Sequence, residues 1–387
     1  MVNVRAPKLI LYGCLVPDIS TFVLSRPDHS ITAAGVGRAF PNAADAAAAA
    51  REGIVVVGAI GFDTTAPAAL FSPQSVSRSG GPIPASTPPE RAITTLATTP
   101  QPEVHRDRVA AAVDLINAGE AEKIVLARSV TLRSETPLDP SELLANFAAG
   151  NPDGNAFGVD LSACGDADFD GTWLLGSSPE LLIRKQGRTV TCHPYAGSIP
   201  RQQDPVADTT AGQRLLESPK DLAEHAFVVD YLRDALTPLC SELDASHTPN
   251  LLSTNEIWHL STPITGTLRD ENTTALDLAL ALTPTPAVGG TPKDSATSII
   301  AKLEEPRGFY AGAVGWCDEN GDGEWMVSIR CLQLAADRVT IRTWAGGGIV
   351  AASEPQAELD ETTAKLRTVL RALGAQPAPH GDGQPSA

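Results

Sequence analysis

Two rhythms of apolar and polar residues alternate along the chain, and each change of rhythm predicts an element. The Ala-rich stretch 42–52 (Asn42 to Glu52) predicts a helix, and Ile54-Val-Val-Val-Gly-Ala-Ile60 directly after it predicts a strand, both as core elements. From Ser72 to Glu103 the apolar content falls and Ser, Thr, Pro and Gly dominate, which predicts a long surface connection. Beyond it, residues 104–119 read as a helix and Lys123-Ile-Val-Leu-Ala-Arg128-Ser-Val-Thr-Leu132 as a strand. Strands and helices then mix to about residue 373, an α/β body with no evident internal repeat.

Two helix starts are marked chemically. Ser218-Pro219-Lys220-Asp221 offers a side-chain acceptor at the cap, Pro at the first helical position and an acid three residues on, opening a helix to about Leu236. Ser353, followed by Pro355 and Gln356, predicts a cap for a last helix through Leu373. The Pro- and Gly-rich tail from Gln376 to Ala387 is expected to be disordered. Near the start, Leu9-Ile-Leu-Tyr-Gly-Cys14 predicts a first strand, being too short for the apolar core of a secretory signal. No apolar run reaches the length of a membrane span.

Charge narrows the choice of partner. With 29 basic against 46 acidic residues among 387, the net charge of −17 argues against nucleic acid and anionic membranes as partners. A small anion could bind only where local Arg, Lys, backbone N–H groups or a metal overcome that field. The six cysteines are scattered, with no CxxC pair, which argues against zinc and a disulfide scaffold and points to the reducing cytoplasm.

Two motifs imitate known loops without completing them. Asp318-Glu-Asn320-Gly-Asp322-Gly323 begins like a calcium loop, but Ile329 stands where the closing Glu belongs, so a hairpin turn is predicted. Gly346-Gly347-Gly348 lacks the spacing and the Gly-Lys-Ser/Thr ending of a phosphate loop.

Charged groups on structured segments are the remaining candidates for chemistry. Lys123 opens a strand; read alone it is a solvated edge charge, but if buried it could serve as a base. Glu180, after Gly176-Ser-Ser-Pro179, is either an exposed turn acid or an acid in a closed pocket. Asp221 and Glu224 share one helix face; Glu358, Glu361 and Lys365 share another, where a surface ion pair between Glu361 and Lys365 is the plain reading. The functional reading is that carboxylates from two helices meet across a cleft and hold Mg²⁺.

Read in order, the segments Glu122-Lys123-Ile-Val-Leu-Ala-Arg128, Gly176-Ser-Ser-Pro-Glu180-Leu-Leu, Tyr195-Ala-Gly-Ser198 and Lys220-Asp221-Leu-Ala-Glu224-His225 resemble the chorismate-utilising enzymes. So do Trp258-His259-Leu260, Pro284-Thr-Pro-Ala287-Val-Gly-Gly290, Gly315-Trp-Cys317, Ile329-Arg330-Cys331, Ala345-Gly-Gly-Gly-Ile-Val350 and Glu358-Leu-Asp-Glu361-Thr-Thr-Ala-Lys365. The resemblance spans about residues 105–373 and implies an α+β fold of two stacked, curved β-sheets with helices outside. Residues 1–104 would complete the sheets.

By the same resemblance, Glu224 and Glu361 coordinate Mg²⁺ while Asp221, standing where Glu is usual, and Glu358 hold its waters. Arg330, Tyr310 and the Gly346 backbone clamp a substrate carboxylate, assisted by Lys365 and the Gly197 backbone. Lys123 corresponds to a base that activates water, and Glu180 to an acid that protonates a departing hydroxyl. Desolvation beside positive neighbours would favour the neutral amine of Lys123.

Three residues select the branch. Anthranilate synthases usually carry Gln at the Lys123 position, aminodeoxychorismate synthases need a lysine where Ala196 stands, and salicylate synthases tend to have Thr at Ala287. The resemblance therefore favours isochorismate synthases, with salicylate synthase as the alternative and a non-catalytic relative as a remote one. Thr283 departs from the His common in the family. A monomer without a glutamine amidotransferase subunit is expected, with chorismate as substrate.

Overall fold

Every pairing between named strands is antiparallel in the computed structural model, which describes residues 20–375 except 247 and 256. The expected first strand at 9–14 and the tail at 376–387 lie outside these residues. Pairing begins at Cys240–Ala245 and passes through Ile264–Leu268, Thr189–His193, Leu181–Gln186, Gly323–Val327 and Ala313–Cys317 to Val56–Ile60. It continues through Ala69–Gly80, His29–Phe40, Phe22–Ser25, Ala156–Asp160, Trp173–Gly176, Cys331–Leu334 and Thr340–Ile349 to Lys123–Ser134.

This strip doubles back on itself. Ile183, Val314 and Trp325 from its first half share one buried core with Phe22, Phe157, Leu174 and Cys331 from its second, so the halves stack as two layers. The helices lie outside: α1 (Ala43–Arg51), α2 (Pro102–Asn117), α3 (Pro140–Ala149), α4 (Pro205–Glu217), α5 (Pro219–Leu236), α6 (Ala275–Leu282), α7 (Lys293–Leu303) and α8 (Pro355–Ala372). A second core, including Leu143, Phe147, Leu366 and Val369, seats α3 and α8 on Val130, Leu132, Leu332 and Ile341. Lys123–Ser134 therefore has both faces covered, which explains its nearly unbroken burial. No helix among the described residues is long and apolar enough to cross a membrane.

Local chemistry accounts for the element ends. Asn42 caps α1 by accepting from Ala44 N at 2.8 Å, and Ser218 caps α5 by accepting from Asp221 N at 3.3 Å. The cap of α8 differs from expectation. Glu354 occupies that position without a side-chain bond, while Ser353 Oγ accepts from Val350 N at 3.1 Å and donates to Glu358 Oε1 at 2.7 Å. A buried carboxylate has claimed the hydroxyl that would otherwise serve the helix end.

The expected connection over 72–103 is also corrected. Ala69–Gly80 pairs with His29–Phe40, and Ile93–Thr99 pairs with Lys123–Ser134, leaving only 81–92 largely irregular. These strands run out beyond the core, so both faces are wet and no apolar alternation marks them; their Thr and Val residues still suit extended backbone. The Asp318–Gly323 hairpin turn forms as expected, Asp318 Oδ1 accepting from Asn320 N and Asp322 N.

Because Ser218 is the side-chain cap on the helix that carries Asp221 and Glu224, Ser218→Ala should lower stability by about 1 kcal/mol. A urea midpoint unchanged from wild type would contradict that.

Candidate active site

Lys123 begins its strand with a side chain 0% exposed, its Nζ 3.0 Å from Glu224 Oε1 on α5, so the edge-charge reading does not hold. Glu180 is 3% exposed at the foot of Leu181–Gln186, with its backbone held by Ser178 Oγ and Val327 N. Burial pushes its carboxyl up to about 8, against the opposing pull of the Tyr195 backbone N–H, Lys123, Lys365 and Arg330. At neutral pH Glu180 is an acid that still holds its proton.

Where α5 and α8 face the strand Thr340–Ile349, lysines meet carboxylates. Lys220 Nζ lies 2.7 Å from Glu358 Oε1, and Lys365 Nζ reaches Glu361 Oε1 at 2.5 Å and Gly346 O at 2.9 Å. With side chains only 16% and 18% exposed, Lys365 and Glu361 are not the surface pair expected from helical spacing. Glycine is what lets the strand pass between them. A Cβ at Gly348 would lie 2.0 Å from Glu224 Oε1 and 2.8 Å from Lys123 Cε, and one at Gly347 would lie 3.0 Å from Glu358 Oε2. The glycine triplet is thus a cradle for carboxylates rather than for phosphate.

Like charges strain this cluster. Burial and the neighbouring Glu361 carry Glu358 up to about 7, and burial with Glu224 close by raises Asp221. Burial pushes Glu224 upward too, but Lys123, Lys365 and Lys220 outweigh it and hold its carboxyl below the ordinary value.

The donor set suits a hard divalent cation. It is all carboxylate, Glu358 Oε2 is buried without a partner, and the Gly347–Gly348 cradle leaves room where side chains would otherwise stand. Among the described residues no three such donors already converge as ligands, since lysines hold Glu224, Glu358 and Glu361.

Across the pocket Arg330, at φ 52, donates to Thr368 Oγ1 and His259 Nε2, each at 3.3 Å. Burial, Arg330 and Lys365 keep His259 neutral, so its Nδ1–H donates to Ser198 Oγ at 2.9 Å. Tyr310 stacks on Trp344 at 5.6 Å, and burial raises its pKa so that it stays a phenol donor. Gly197, at φ 76, lets the backbone lie against Asp221, 3.1 Å from where its Cβ would be. Ala287 sits in a segment held by Arg307, which donates to Val288 O at 2.7 Å and to Val125 O at 2.8 Å. Glu304 completes that staple by bonding Arg307 and accepting from Ala127 N at 2.6 Å.

The expected residues therefore come together. Glu180, Gly197, Glu224, Ala287, Tyr310, Arg330, Gly346 and Lys365 line one pocket, with Lys123, Asp221, Glu358 and Glu361 against its carboxylate end. Lys220, Ser198, His259 and Trp344 had no assigned role, although the first three lie inside the motif segments. Thr283 is not among the pocket's lining residues; its hydroxyl donates to Ala279 O at the end of α6.

Glu180 and Lys123, both buried, are set between a carboxylate cradle and Arg330 beside a pocket suited to a small anion. The chain belongs to the chorismate binding enzyme family, whose model matches residues 74–374. A Mycobacterium tuberculosis protein provisionally named isochorismate synthase MenF is 46% identical over 92% of this chain and 96% of its own. Isochorismate synthase DhbC of Bacillus subtilis is 45% identical over 83% of this chain and 81% of its own. A crystal structure from Bacillus anthracis, provisionally titled 2,3-dihydroxybenzoate-specific isochorismate synthase DhbC, has a TM-score of 0.85 at 36% identity, covering 92% of this chain and 97% of that one.

Two stability measurements probe the geometry. Gly348→Ala should destabilise by about 1–3 kcal/mol through overpacking against Glu224, whereas Gly80→Ala, with nothing within 4 Å, should leave the denaturation midpoint unchanged. For Glu180, the unfolded chain ionises above about pH 4.5 while the folded one holds its proton to about 8. Stability is therefore full below the lower value and is lost as pH rises to the upper one. Glu180→Gln should flatten that decline between pH 5 and pH 8 in thermal melts; an equal decline in both proteins would count against the assignment.

Proposed function

We propose that this enzyme is a magnesium-dependent isochorismate synthase, converting chorismate reversibly to isochorismate. The observation that carries the reading is the buried Lys123 and the protonated Glu180 at one pocket whose far wall is the Arg330 clamp. Two relatives named for isochorismate synthase support the same activity.

Lys123 takes a proton from water as the oxygen bonds to the ring carbon beside the carboxylate-bearing carbon. The ring double bonds shift, the carbon–oxygen bond at the distant hydroxyl breaks, and Glu180 gives that hydroxyl its proton, so water leaves. Arg330, Tyr310 and the Gly346 backbone orient the enolpyruvyl carboxylate, while Glu224 and Glu361, with Asp221 and Glu358 behind them, would hold the cation. Bound Mg²⁺ supplies positive charge for the ring carboxylate. Ala287 favours this reaction over one continuing to salicylate. Attack by water requires no ammonia, so we infer a single chain without an amidotransferase subunit, working in the reducing cytoplasm, where the described cysteines, all free and buried, would remain thiols.

Purified protein incubated with chorismate and Mg²⁺ should build isochorismate to equilibrium, and EDTA should stop it. Salicylate with pyruvate would move the enzyme to the lyase branch, and no turnover would refute catalysis. Lys123→Ala and Glu180→Gln should each lower kcat by at least about 100-fold while remaining folded; near-normal rates in either would remove its assigned role.

A further inference from the structure

Arg128 lies on the same strand as Lys123, is 6% exposed, and yet has no carboxylate at ion-pair distance among the described residues. Its Nε donates to Thr362 Oγ1 at 2.9 Å and its Nη2 to Thr363 Oγ1 at 2.6 Å, both on α8. Each hydroxyl passes a hydrogen bond to Leu359 O at 2.8 Å. Leu359, Thr362 and Thr363 bracket Glu361 and follow Glu358, so the guanidinium grips the turn of helix that presents both carboxylates.

Burying a cation against neutral partners is costly, and desolvation does depress the Arg128 pKa. A carboxylate at 362 or 363 would relieve that cost. It would also add negative charge beside Glu358 and Glu361, whose repulsion already raises Glu358. A pair of hydroxyls supplies direction without charge. Arginine suits the task because its planar fork reaches two acceptors at fixed angles, which a lysine ammonium cannot.

We propose that Arg128 is a positioning residue for the metal site, locking the Glu358–Glu361 turn of α8 in register with the strand that carries Lys123. The proposal rests on the magnesium reading above. It assigns Arg128 no contact with substrate or cation; its effect runs through the two threonines.

The test is Mn²⁺ binding to the full chain, followed by electron paramagnetic resonance without substrate, with Mn²⁺ standing in for Mg²⁺. Arg128→Met should weaken binding about 10-fold, the scale on which partners behind metal ligands act. Arg128→Lys should stay weak, because charge alone does not restore the two bonds; full recovery in that variant would overturn the proposal. Thr363→Val, at an exposed position, should weaken binding about threefold on the same principle and add nothing further in the Arg128→Met background. Wild-type affinity in Arg128→Met overturns the proposal, and if that variant does not fold, wild-type affinity in Thr363→Val overturns it. Glu361→Gln separates the two levels: if it binds Mn²⁺ as wild type does, the magnesium reading fails, whereas loss there with no effect at Arg128 sinks only the positioning role.

Discussion

Negative charge gathered out of water is the constraint around which the site is built. Asp221 and Glu224 on α5 and Glu358 and Glu361 on α8 approach one another in a region where burial raises the cost of every ionised carboxyl. Three lysines from different elements answer that charge, and Lys123 is one of them. The same lysine ties the strand it opens to α5 through Glu224.

The sheet makes that arrangement possible by presenting backbone where side chains would be in the way. Gly346, Gly347 and Gly348 lie beside Ala127, Leu126 and Val125 on the strand of Lys123, so the carboxylate cradle and the strand that Lys123 opens share one hydrogen-bonded ladder. Arg307 and Glu304 fix that strand at Val125 and Ala127, and also the segment containing Val288. Small movements in any of these elements would be felt at the pocket, because the strand has neighbours on both edges and packing on both faces.

Much of this is legible in the amino-acid sequence. Periodicity located α1, α2 and the Lys123 strand, and Ser218 with Pro219 announced α5, because each signal is local and nothing tertiary competes with it. Two readings failed for physical reasons. Strands in 72–103 are wet on both sides and look like loop in composition, and Ser353 gave its hydroxyl to Glu358, a partner no local pattern could name. The pocket residues were legible through ordered motifs rather than chemistry alone; singly, Lys123 read as an edge charge and Glu180 was left open between a turn acid and a pocket acid. Lys220 and His259 sat in those motifs, but their roles depend on distances to Glu358 and Arg330 that only the fold supplies.

The continuous strip of strands has a consequence for how the protein comes into being. Val56–Ile60 finds one of its partners only at Ala313–Cys317, and Phe22–Ser25 one of its partners only at Ala156–Asp160. One edge of Val56–Ile60 must wait, unsatisfied, until most of the chain has been made. A chain wired this way leaves long-lived open edges during synthesis, the kind of surface that pairs wrongly with other chains.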